Sequence, residues 1–154
     1  QLKHKKDRGY GMGAELGYRY AKGEFIYILD ADMQLHPEFI PKAVTYMRKH
    51  PHIAGVGGII HEKVTSNIIF ARRAASSSAK SVTKITPVDA LMMGGLYRKS
   101  AVDDTGFFAN RFLHAYEESD LGFRLRHKGY GMVRIPVNMV DHYGDDTSSF
   151  AIFL

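Results

Sequence analysis

The 154-residue sequence contains no cysteine. Disulfide frameworks and cysteine-rich zinc sites are thereby excluded, and a reducing compartment is compatible with the chain. No apolar run approaches the ~20 residues that a membrane-spanning helix needs, and no signal-peptide pattern opens the chain. The terminal Phe150-Ala151-Ile152-Phe153-Leu154 is apolar but far shorter than that. An initiating methionine is also lacking: residue 1 is Gln, and the first residues read as the middle of a longer protein.

What is present describes one folded domain over residues 1–154. Hydrophobic residues make up 45% and charged residues 24%, enough to bury a core and too balanced for a disordered chain. The net charge of +5 favours anionic company: nucleotide diphosphates, acidic membrane surfaces or nucleic acid. Part of that charge is the opening cluster Lys3, His4, Lys5, Lys6 and Arg8, which reads equally as a solvated face.

The densest chemical signal is Gly23-Glu24-Phe25-Ile26-Tyr27-Ile28-Leu29-Asp30-Ala31-Asp32. A short continuous apolar run that ends in carboxylates reads as a buried strand delivering side chains to a site. In extended chain, Asp30 and Asp32 leave one face and Ala31 the other. Two hard oxygen ligands together suit a divalent cation that also carries substrate phosphates. The same acids after a strand also make turns and helix caps, so the triplet alone leaves both readings open.

Around this stretch the chain alternates helices and strands. Glycines 9, 11 and 13 predict a loop, and residues 14–22 a helix stopped by Gly23. No strand precedes these glycines, so they are not a dinucleotide-binding fingerprint. Residues 37–49 predict a helix with Phe39, Ile40, Ala43, Val44 and Met47 on its apolar face, and residues 53–60 a glycine-rich strand onto which something packs closely. Residues 61–86 are expected to include a mobile segment, with Arg72 and Arg73 read as surface or as contacts to an anion.

Residues 88–98 predict a strand, broken by Gly94-Gly95, and a second short strand after it. Ser100-x-x-Asp103 has the form of a capping box for a helix closed by Gly106. Beyond the aromatic stretch 107–116, residues 119–128 predict a helix with Leu121 and Leu125 buried and Gly129 at its end. Glu117, Glu118 and Asp120 crowd its start. The helix macrodipole stabilises acids there, which accounts for one or two of them. Two strand segments around Pro136 then lead to Asp141-His142.

In order and spacing these segments resemble the inverting, family 2 type of glycosyltransferase. The resemblance rests on Ala21-Lys22-Gly23-Glu24 before the apolar strand, Asp30-Ala31-Asp32 with Pro37, Gly94-Gly95 with Arg98, Gly106-Phe107, Glu117-Glu118-x-Asp120-Leu121 with Arg124 and Arg126, Gly129-Tyr130, Pro136 and His142. It implies an α/β domain of the GT-A type, with a mixed, mostly parallel sheet flanked by helices and without the nucleotide-binding strands that relatives place before the Asp pair.

The resemblance further implies the roles. Asp30 and Asp32 hold a divalent metal (Mn2+ or Mg2+) and the donor's ribose and diphosphate, and His142 reaches the same metal or diphosphate. Gly94 and Gly95, with Arg98, line the donor and acceptor pocket. Glu118 stands where relatives carry an Asp base, accompanied by Glu117 and Asp120 as candidate catalytic acids. Expected partners are a nucleotide-diphosphate sugar donor and a saccharide or lipid-linked hydroxyl acceptor, not nucleic acid. The expected location is the cytoplasm, at an anionic membrane face. Two departures stand out: Ala14-Glu15 replaces an Arg-Asn pair common in relatives, and Glu118 is one methylene longer than Asp. A sugar nucleotidyltransferase and a non-catalytic basic module that binds nucleic acid or membrane are the alternative readings; the acid cluster at residues 117–120 argues against the basic module.

Overall fold

A computed structural model of the chain describes residues 10–63, 72, 82–109 and 116–143. The basic opening cluster, Arg73, the centre of the segment expected to be mobile and the apolar C-terminal residues lie outside the described residues.

The described elements run α1 (Tyr10–Tyr20), β1 (Phe25–Ile28), β2 (Met33–Leu35), α2 (Phe39–Lys49), β3 (Ile53–Glu62), β4 (Thr86–Pro87), β5 (Gly95–Arg98), α3 (Lys99–Thr105), α4 (Glu117–His127) and β6 (Gly131–His142). The strands form one sheet in the order β1-β5-β3-β6-β2, with β4 also on β6. It is mixed, as expected, but not mostly parallel. Only β3 and β6 run parallel; β1 with β5, β5 with β3, and β2 and β4 with β6 are antiparallel. No two strands consecutive in the chain are neighbours in this sheet, so no hairpin sets the directions; each strand is paired with one from a distant part of the chain, and either direction is open to such a pair.

Two apolar clusters cover the sheet. One joins Phe39, Ala43 and Met47 of α2 to Val56, Leu96, Val133 and Met139. The other joins Ala101 and Val102 of α3 and Leu121 and Leu125 of α4 to Ala54, Tyr97 and Met132, with Tyr18 of α1 at its margin. Leu96 and Tyr97 are successive residues of β5 that fall in different clusters, as alternation along a strand requires. Full burial of each large apolar side chain contributes roughly 1.5–3 kcal/mol. No helix among the described residues is long and apolar enough to cross a membrane.

Several local expectations change. Helix α1 starts at Tyr10, so Gly11 and Gly13 are helical rather than loop. Gly11 packs against Glu117 and Phe108: a Cβ there would stand 3.4 Å from Cγ of Glu117, an ordinary contact. Residues 88–93 are not a strand: Leu91 is buried over Gly55, Gly57 and Gly95, and Met93 and Gly94 both take positive φ, which ends any ladder.

Ser100 caps nothing. Helix α3 begins two residues earlier than a Ser100 cap would start it, at Lys99 after Arg98, without a side-chain cap, and Asp103 instead accepts from Lys99 Nζ at 2.7 Å and from the Tyr18 hydroxyl. Helix α4 begins at Glu117, two residues before the expected Ser119, so all three acids fall in its first turn. The strand segments around Pro136 are one strand, β6. A register shift opposite Gly57 and Ile59 absorbs the proline, whose missing N–H would break a regular ladder.

Candidate active site

Strand β1 is half-buried at the sheet edge, with Ile28 alone buried, and it stops where the chain turns. Met33 N–H donates to the Asp30 carbonyl at 3.2 Å, and Tyr143 N–H donates to the Asp32 carbonyl at 2.8 Å. The acids therefore sit on a turn pinned to the end of β6, not on one face of extended chain. Both line a groove of about 880 Å³ between α1 and β1, whose α1 wall is made of small residues such as Gly13, Ala14 and Gly17. Tyr27, beneath the turn, has its phenol pKa raised by burial and by the Asp30 charge.

Asp32 and His142 meet. His142 Nε2 lies 3.3 Å from Asp32 Oδ2, and His142 Nδ1 lies 2.6 Å from Glu62 Oε2. His142 and Glu62 have almost fully buried side chains, whereas Asp32 is 44% exposed. A carboxylate on Nδ1 takes the proton there and leaves Nε2 as an acceptor facing a carboxylate oxygen. Two acceptors at that separation call for a proton or a cation between them. The spacing also equals the ~3.3 Å between neighbouring ligands of a tetrahedral ion with ~2.0 Å bonds. The chemistry of Asp32 and His142, with Asp30 on the same turn, thus fits a divalent metal, and Glu62 is the outer partner that orients the imidazole. Sequence reading missed Glu62. Its signal was His61-Glu62, two polar residues closing an otherwise apolar strand.

Glu118 faces Asp30 from the other side. Burial raises its carboxyl pKa; the charges of Glu117 and Asp30 add to the rise, while bonds from its own amide and the Met93 amide oppose it. Met93, whose amide bonds Glu118, has φ 64°. Gly94 follows at φ 85°, where a Cβ would stand 2.5 Å from the Ile28 carbonyl. Gly94 and Gly95 thus let the chain pass close to the end of β1. Tyr97, fully buried, has its phenol pKa raised by burial and by the Glu118 charge. Glu117 is also buried, with Oε1 lacking a hydrogen-bond partner among the described residues.

Residues 2–117 match the family model described as Glycosyl transferase family 2. The chain belongs to that family. Among solved structures, this family member resembles a crystal structure of GalNAc-T7 with UDP, GalNAc and Mn2+ at TM-score 0.71 and 13% identity, over 92% of this chain and 31% of that one. It resembles a crystal structure of S. aureus TarS at TM-score 0.66 and 12% identity, over 95% of this chain and 26% of that one. The fold is thus of the GT-A type, and the chain spans about a third or less of the length of these structures.

Two residues expected at the family site are engaged elsewhere. Arg98 is at the end of β5 away from Gly95; its guanidinium donates to Met47 O at 2.6 Å and Ile53 O at 3.2 Å and lies over the Phe25 ring. Asp120 accepts from Arg124 Nε at 2.8 Å. Arg124 in turn donates to the Thr105, Gly106 and Phe107 carbonyls, so this pair locks α4 to the loop after α3. The structure brings Asp30, Glu117, Glu118, Gly94 and Gly95 together at one end of β1, with Asp32 and His142 paired beside them.

Proposed function

We propose that the chain carries catalytic residues of a glycosyltransferase that moves a sugar from a nucleotide-diphosphate donor to a hydroxyl acceptor with inversion. The observation that carries this reading is the buried Glu62-His142 pair aimed at Asp32, on the turn whose other acid faces Glu118. In this reading Asp30, Asp32 and His142 hold a divalent cation, Mn2+ or Mg2+. When bound, that cation neutralises charge building on the departing diphosphate. The UDP and Mn2+ in the GalNAc-T7 crystal support a nucleotide and metal on this fold.

Glu118 takes the acceptor proton. Its raised pKa makes the ionised form a stronger base, and the Met93 amide fixes its direction. Attack from the Glu118 side, opposite the diphosphate, replaces the leaving group in one displacement and inverts the anomeric centre. Glu117 packs behind Glu118 and raises its proton affinity through its charge. The groove between α1 and β1 is of a size that holds part of a nucleotide sugar.

The test is calorimetric titration of UDP into the intact protein with and without Mn2+, repeated with Asp32→Ala. Mn2+-dependent binding that disappears in the variant is expected. Binding that ignores both the metal and the substitution sinks the proposal.

A further inference from the structure

A second cluster of ligating side chains lies beside the first and is not part of it. Two adjacent rows of the sheet cross the ends of β3, β6 and β2. One row is Glu62, His142 and Met33; the next is His61, Asp141 and Gln34. Successive rows point to opposite faces of a sheet. His61 and Asp141 therefore leave the face opposite Glu62 and His142, and His36, just beyond β2, joins them. One ring nitrogen of His36, one of His61 and one carboxylate oxygen of Asp141 lie within 4.8 Å of one another.

We propose that His36, His61 and Asp141 form a second metal site, selective for a borderline divalent cation such as Zn2+ and separate from the Asp32-His142 pair. Two imidazoles and one carboxylate are a nitrogen-rich set that favours zinc over Mg2+ or Ca2+, and three protein ligands leave a position for water. His36 Nε2 is 3.2 Å from Asp141 Oδ1, the separation of two ligands on one tetrahedral ion (~3.3 Å for ~2.0 Å bonds). His61, with its ring 5.7 Å from that of His36, closes the set by a small side-chain movement. Asn138 Oδ1, 2.9 Å from His61 Nε2, is the outer partner that fixes that ring. The backbone is already held, because His36 N–H donates to Met139 O at 2.9 Å.

One cation competes for the place. Lys63 Nζ lies 3.4 Å from Asp141 Oδ1, on a side chain 45% exposed. A flexible, half-exposed ammonium leaves a carboxylate at little cost. Zn2+ binding displaces it, ties the exit of β2 to β3 and β6, and stabilises the fold by mass action.

The test uses the chain with Asp32→Asn, which disables the first site, stripped with chelator and titrated with Zn2+ by calorimetry and with Co2+ by visible absorption. One equivalent is expected, with a Co2+ spectrum of tetrahedral nitrogen and oxygen ligation. His36→Gln and His61→Gln each weaken it about tenfold or more, and Lys63→Met tightens it. Zn2+ affinity unchanged in both His variants overturns the proposal, as does Lys63→Met binding no more tightly than its parent. Because Mn2+-dependent UDP binding is measured separately with Asp32 intact, loss of that activity alone bears on the first site and not on this one.

Discussion

His142 Nδ1 lies 2.6 Å from Glu62 Oε2 while its Nε2 lies 3.3 Å from Asp32 Oδ2, so a buried carboxylate decides which ring nitrogen faces Asp32. Glu62 acts through His142: its carboxylate holds Nδ1 and so orients the imidazole. Glu62→Gln is expected to weaken Mn2+ affinity in the presence of UDP by about 10–100-fold. Calorimetry measures this. An unchanged affinity would show that His142 does not bind the cation.

If Glu118 is the base, as proposed, its removal separates chemistry from binding. Glu118→Gln is expected to lower turnover by about 10²–10⁴-fold while UDP affinity with Mn2+ stays near that of the parent. Steady-state kinetics of the full-length enzyme against calorimetry gives the comparison; equal losses in both would make the role structural. In the parent, activity falls as pH drops through the raised pKa of Glu118, and the variant lacks that acid limb.

The same shift has a stability counterpart of opposite sense. Because burial holds the folded-state pKa of Glu118 above its ordinary 4.5, the folded chain binds this proton more tightly than the unfolded one. Its stabilising contribution is complete below the ordinary value and is lost as pH rises through the folded one. Glu118→Gln is therefore expected to raise Tm at neutral pH and to show no such gain in acid. Thermal unfolding of both proteins across the pH range checks the crossing.

Gly94 couples backbone geometry to the site. Alanine there meets a positive φ of 85° and the Ile28 carbonyl at 2.5 Å. Gly94→Ala is expected to cost about 1–3 kcal/mol in urea unfolding and to weaken UDP binding as well, since β1 must shift where it delivers Asp30. Full stability would refute the close approach.

Arg98 gives the contrasting case. Its guanidinium satisfies the carbonyls of Met47 and Ile53, so Arg98→Ala is expected to cost about 1–3 kcal/mol and leave Mn2+-dependent UDP affinity unchanged. A selective loss of UDP binding would return Arg98 to the site.

The primary sequence by itself determined the elements whose causes are local. The apolar run of β1 ending in Asp30, the periodic face of α2, and Gly106 and Gly129 closing α3 and α4 follow from side-chain pattern and backbone freedom within a few residues. Asp30 and Asp32 were candidates from local pattern alone, since they stand where an apolar strand stops, whereas the roles given to Glu118 and His142 rested on the family resemblance. Only the tertiary structure decided which of them meet and which turn elsewhere. Glu62 and His142 are 80 residues apart and become partners through the parallel register of β3 and β6. Asp120 and Arg98 carry suitable charge, but nearer partners claim them. A side chain's chemistry is written in its residue type, whereas its partner depends on the register and packing of strands distant in the chain.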